Sequence, residues 1–149
     1  MHALLMRLTL RQDVAEELMQ ELVVRLQRSG VFNTASDPTA YAARTAINLA
    51  MQWRREMGCR KPPAGIPGEF AVDCPSPLAG MERAEQIERV MDAVSRLRGA
   101  CRETIVLYYV EQQSYEQVGR QLGKTEHQVR ALCAKAMKRL RKLLDHERP

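Results

Sequence analysis

Between Ser114 and Leu144 two helix starts are separated by a glycine, and that spacing constrains the fold more than anything else in the chain. Ser114 with Gln117, and Thr125 with Gln128, fit the pattern in which a hydroxyl caps the third amide and the Gln side chain returns to the cap amide. Tyr115, Val118 and Leu122 fall on one face of the first predicted helix, with Gly119 small beside them. Gly123 suits the left-handed residue that ends a helix. The second helix carries the apolar stripe Val129, Leu132, Cys133, Ala136, Met137, Leu140 and Leu144. Two helices that cross tightly at a small residue predict a helix-turn-helix, whose second helix can enter a DNA major groove.

The charge distribution points the same way. The 149 residues carry a net charge of +5. From Lys124 to Pro149 there are eight basic and three acidic residues, so this segment holds the whole excess; residues 1–123 balance 15 against 15. Arg130, Lys138, Arg141 and Lys142 lie off the apolar stripe, and Lys135 and Arg139 flank it. A basic helix face attracts phosphate through a long-range, salt-sensitive field. Taken alone, the same charges would equally suit a solvated face.

The remainder of the chain has helical period, which predicts an all-α fold. Asp13 and Glu16 form a candidate capping box before a helix over 14–28, with Leu18, Leu22 and Leu26 in line and Val23 alongside. Gly30 and the polar run 33–36 break it. Asp37 caps the next helix, Pro38 takes its first position, and the helix runs to about Met57. Five of the seven prolines fall between Gly58 and Pro77, a linker through which helix cannot persist. Ser76 and Pro77 restart helix, and Ile87, Val90, Met91, Val94 and Leu97 share a face of it. The β-branched and aromatic run 104–110 reads as a buried helix between helices. The expected organisation is a helical domain over 1–57, a linker over 58–77 and a helix-turn-helix domain over 78–149.

Several function classes are disfavoured. Cys59, Cys74, Cys101 and Cys133 form no C-x-x-C pair, and His2, His127 and His146 give no ligand spacing, so neither metal nor cofactor is expected. Cys101 and Cys133 read as small core residues, and Cys59 and Cys74 fall in the linker. No nucleophile is placed to use His127, and the glycines form no phosphate loop, so no enzyme activity is expected. No apolar run approaches the ~20 residues of a membrane span, and residues 1–10, interrupted by Arg7, do not read as a signal peptide. The expectation is a cytoplasmic protein without membrane insertion.

Two stretches of the first domain complete the picture. Asp13-Val-Ala-Glu-Glu-Leu-Met-Gln-Glu21 concentrates acid without a basic partner, which suits a basic protein surface. Tyr41-Ala-Ala-Arg-Thr-Ala-Ile-Asn-Leu-Ala-Met-Gln-Trp-Arg-Arg55 combines arginines with aromatic rings on which bases can stack. In this order and spacing, with the C-terminal helix-turn-helix, the chain resembles the bacterial RNA polymerase sigma factors of the extracytoplasmic-function group, in regions 2 and 4 of the sigma-70 family. The acidic stretch is similar to the family's D-x-A-E-D-L-x-Q-E and the second to W-L-x-x-I-A-x-N-x-x-x-D-x-x-R, with Tyr41 for Trp and Gln52 for Asp.

The resemblance implies a subunit that directs polymerase core to promoters. Asp13, Glu16, Glu17, Gln20 and Glu21 would dock on the β′ clamp helices of the core. Tyr41, Arg44, Asn48, Gln52, Trp53 and Arg55 would meet the melted −10 strand. Lys124, Thr125, Gln128, Arg130, Ala131, Lys135, Lys138 and Arg139 would serve the −35 element. An anti-sigma factor is a further compatible partner. His127-Gln128 and Ala131-Leu132 depart from the G-T and S-R common in the recognition helix. Leu132 falls on the apolar stripe, where the family often presents Arg to DNA. A stand-alone helix-turn-helix regulator, and an interaction module without a DNA role, are the competing readings.

Overall fold

The computed structural model describes residues 1–57 and 77–146. The expected linker, the Ser76 cap, Cys59 and Cys74 lie outside the described residues. Among the described residues the elements are helical, in the order α1 (His2–Thr9), α2 (Gln12–Arg28), α3 (Gly30–Thr34), α4 (Pro38–Met57), α5 (Pro77–Ser95), α6 (Gly99–Ile105), α7 (Tyr115–Leu122) and α8 (Glu126–His146). Beyond Ile105, α6 loosens into a π-helical stretch, Val106–Val110, in the run that the sequence marks as a buried helix. Thr104, Ile105, Val106 and Leu107 are buried there, whereas Tyr109 is exposed.

The first half is built around α4. Asp37 Oδ1 accepts from the Ala40 amide at 2.9 Å, so the cap before Pro38 forms as expected. The apolar line of α2, Val14, Leu18 and Leu22, packs with Leu4, Leu5 and Leu8 of α1 and with Ala43, Ile47 and Met51 of α4. Burial of these side chains is the main force holding the three helices together.

Three local expectations are corrected. Asp13 does not cap α2, which begins at Gln12 with Arg11 as its cap residue. The chain enters it through Leu10, in the left-handed region at φ 59°, with the Arg11 amide donating to Thr9 Oγ1; Asp13 pairs with Arg11 instead. The break after Arg28 holds a short helix, because Ser29 Oγ accepts from the Phe32 amide and nucleates a turn. Val90 is 41% exposed, and the buried face of α5 runs through Met91, Ala93 and Val94.

Buried side chains of both halves belong to one apolar cluster. Polar links reinforce the junction. Arg7 of α1 pairs with Glu111 at 2.7 Å. Arg54 of α4, 1% exposed, reaches Glu88 and Asp92 of α5 while also donating to the carbonyls of Leu8 and Thr9 at the end of α1. A guanidinium has five donors in a planar fork, and this one satisfies the last turn of α1 and holds two carboxylates of the other half at once.

Candidate nucleic-acid and polymerase interface

The helix-turn-helix forms as its sequence spacing requires. Both capping boxes close: the Ser114 and Thr125 hydroxyls accept from the Gln117 and Gln128 amides, and the Gln carboxamide oxygens accept from the Ser114 and Thr125 amides. Gly123 ends α7 at φ 63°. At Gly119 a Cβ would stand 2.6 Å from the Lys124 carbonyl oxygen, so the crossing of α7 and the turn needs glycine. Val118 and Val129 are fully buried at the crossing, with Leu122 and Cys133 beside them.

These contacts fix which face of α8 meets solvent. Val129, Cys133, Ala136 and Leu140 face the core, and Leu132 is half-buried beside them. Gln128, Ala131, Lys135, Lys138 and Arg139 are exposed at helical spacing, so they share one outward strip. Lys124 and Thr125 are exposed at its start. Arg130 stands apart. Its guanidinium lies 4.8 Å from the Tyr115 ring centre and 2.6 Å from Glu126 Oε1, on the flank facing α7. The Glu126 hydrogen bond holds its pKa above the usual arginine value. Tyr115 in turn stacks on Tyr108, with centroids 4.3 Å apart, and its hydroxyl is pushed up to about 12, first by its hydrogen bond with Tyr108. Arg130 therefore braces the two helices of the motif, while Gln128 gives its carboxamide oxygen to the cap.

In the first half the two expected surfaces have different surroundings. Asp13, Glu16, Glu17, Gln20 and Glu21 are all exposed on α2, opposite its buried line, and make an acidic ridge. Glu21 pairs with Arg25 along the helix at 2.5 Å. On α4, Arg44, Asn48 and Arg55 recur at helical spacing and meet the second half. Arg44 Nε donates to Glu103 Oε2 at 3.2 Å, Arg102 Nη2 donates to Asn48 Oδ1 at 2.6 Å, and Arg55 Nη1 donates to the Ser95 carbonyl at 2.9 Å. Gln52 bonds Glu56 on an exposed flank, Trp53 is half-buried against the core, and the Tyr41 hydroxyl bonds Ser29 at 3.0 Å. The six residues thus do not form one open surface here: three face α5 and α6.

Arg54, which joins the two halves, is hidden in the sequence, where an Arg-Arg pair after an aromatic reads as exposed charge. Its signal was the helical period itself, which puts residue 54 on the buried side of α4 with Ile47 and Met51.

A family model described as sigma-70, region 4, matches residues 93–142, from the end of α5 through most of α8. The chain carries a sigma-70 region 4. The resemblance drawn from the sequence is upheld at the helix-turn-helix, the crossing of α7 and α8. A solved structure described as the sigma factor RpoE in complex with the anti-sigma factor NepR, from Bartonella quintana, is 18% identical over 99% of this chain and 91% of that one, with a TM-score of 0.48. No curated protein matched the chain in a sequence search. Among the described residues no group of side chains could hold a metal ion, and no helix is long and apolar enough to cross a membrane.

Proposed function

We propose that this chain is a sigma factor that directs RNA polymerase core to specific promoters. The observation that carries the reading is the region 4 match falling on a closed helix-turn-helix whose outward strip is polar and basic. In this reading, Lys124, Thr125, Gln128, Ala131 and Lys135 face the −35 groove, Lys138 and Arg139 lie near phosphates, and Arg130 braces the recognition helix against α7. The acidic ridge from Asp13 to Glu21 takes the core enzyme, and α4 takes the −10 strand. Polymerase performs the phosphoryl transfer; this chain contributes binding energy and no catalytic group. It acts in the cytoplasm, and an anti-sigma factor is its regulatory partner.

The contacts of Arg44, Asn48 and Arg55 with α5 and α6 add a condition. For α4 to hold DNA, those links must open, so the arrangement described is the one before promoter binding. The stand-alone regulator is not favoured, since it gives the acidic ridge no role. The deciding experiment is transcription by added core polymerase from candidate promoters, with and without the chain. Promoter-dependent transcripts only in its presence are expected; DNA binding without any effect on core polymerase would give the reading to the stand-alone regulator.

A further inference from the structure

The turn between α5 and α6 is flanked by two concavities, both cationic. One, of about 500 Å³, lies between the turn and α8. Arg96 and Arg98 line it from the turn, and Lys135, Lys138, Arg139 and Lys142 from α8, where their spacing puts all four on one face. Its floor is apolar: Leu97, Cys101 and Ala136. The other, of about 310 Å³, lies between the turn and α4, and Arg96 and Arg98 line it together with Arg55 and Arg102. No acidic residue is among the described residues lining either one.

Arg102 shows how strongly positive charge is crowded here. Its two terminal nitrogens donate to the Leu97 carbonyl and to Asn48, but its buried Nε has no acceptor. Burial, and then Arg55 nearby, hold its pKa below the usual arginine value. A buried donor without an acceptor costs free energy, and so does crowding of like charge. Glu103 offsets only part of the crowding, and an anion with several acceptor oxygens beside Arg55 and Arg102 relieves the rest.

We propose that the two concavities form one site for a small polyphosphate anion, either inorganic or the phosphate chain of a nucleoside polyphosphate. Guanidinium forks match phosphoryl oxygens in pairs, and a linked phosphate chain can reach both sides of the turn, where a single carboxylate cannot. The first concavity is within the volume range of small-ligand sites, and its apolar floor can take a flat base beside the charged rim. Because Arg55 belongs to α4, the ligand would tie the first half to the turn. Because Lys135, Lys138 and Arg139 also serve the proposed −35 surface, it would compete with DNA. The site itself does not depend on the chain acting as a sigma factor.

The test is calorimetric titration of the full chain with inorganic tripolyphosphate and with ATP, at about 0.15 M ionic strength. Saturable binding at one site per chain is expected, weakened at least about tenfold in the double variant Arg98→Gln with Lys142→Gln, and weakened also in Arg55→Gln. A control, Arg28→Gln with Arg120→Gln, removes two exposed cations elsewhere and should leave it intact. Equal affinity for the two ligands supports recognition of the phosphate chain alone; tighter ATP supports use of the apolar floor. Absence of saturable binding, an equal loss in the control, or indifference to Arg55→Gln overturns the site. If the Arg98 and Lys142 variant weakens only duplex DNA binding, the cations belong to the DNA backbone and the proposal fails.

Discussion

The guanidinium of Arg54 stands 2.8 Å from Glu88 and 2.8 Å from Asp92, so one buried cation of the first half holds two carboxylates of the second. The carboxylates keep about a fifth of their surface in water, while Arg54 keeps none. Neutralising Glu88→Gln with Asp92→Asn should therefore loosen the junction without emptying it. The expected result is a larger radius of gyration by solution scattering and tighter binding of single-stranded −10 DNA. Arg54→Met should instead strand the Leu8 and Thr9 carbonyls and cost about 2–4 kcal/mol in a denaturant titration.

Gly119→Ala tests the crossing of the two motif helices. In most helices this change stabilises by up to about 1 kcal/mol. Here the new methyl meets a backbone oxygen at 2.6 Å, so α7 and the turn must part. The sign should reverse, with a loss of about 1–3 kcal/mol and weaker DNA binding.

Val129→Asp places an unpaired carboxylate in the fully buried junction of α7 and α8. A loss on the order of several kcal/mol is expected, seen as collapse of the helical signal of the second half at moderate temperature. A folded variant of normal stability would contradict the burial of residue 129.

Lys138→Ala should weaken DNA binding about equally for all sequences and reduce the slope of log affinity against log salt by about one. Affinity would be followed by fluorescence anisotropy across a salt series. Loss confined to one promoter sequence would assign Lys138 to base contacts instead.

Glu17→Lys with Glu21→Lys reverses the exposed ridge of α2 and breaks only the surface pair with Arg25, worth about 0.5 kcal/mol. Stability should hardly change, while co-purification of core polymerase should be lost. Retained core binding would remove the ridge from the proposed interface.

The helix-turn-helix was legible to single residues because its determinants are local: two hydroxyl caps, one left-handed glycine and an apolar stripe all act within one or two turns. The cap at Asp37 was legible for the same reason. The start of α2 was not, since it is set by the left-handed turn at Leu10 and the Thr9 hydroxyl rather than by Asp13. Long-range pairing was least visible. That Asn48 would meet Arg102, or Arg44 meet Glu103, depends on how two helical layers settle, and neither partner's sequence neighbourhood carries it. Arg130 lay between these cases: its charge was plain, but the Tyr115 ring that turns it away from Gln128 and Ala131 becomes its neighbour only once α7 and α8 cross.

Helix α8 runs unbroken for 21 residues, about 30 Å. Its first turn is gripped by Tyr115 through Arg130, and its later turns run past the α5–α6 turn at Arg96 and Arg98. Val129, Cys133, Ala136 and Leu140 are buried along that length, so the rod is clamped on one side rather than at one end. The edge that carries Gln128, Ala131, Lys135 and Lys138 is therefore stiff, and the angle at which it meets a groove is set jointly by α5, α6 and α7, the helices packed behind it.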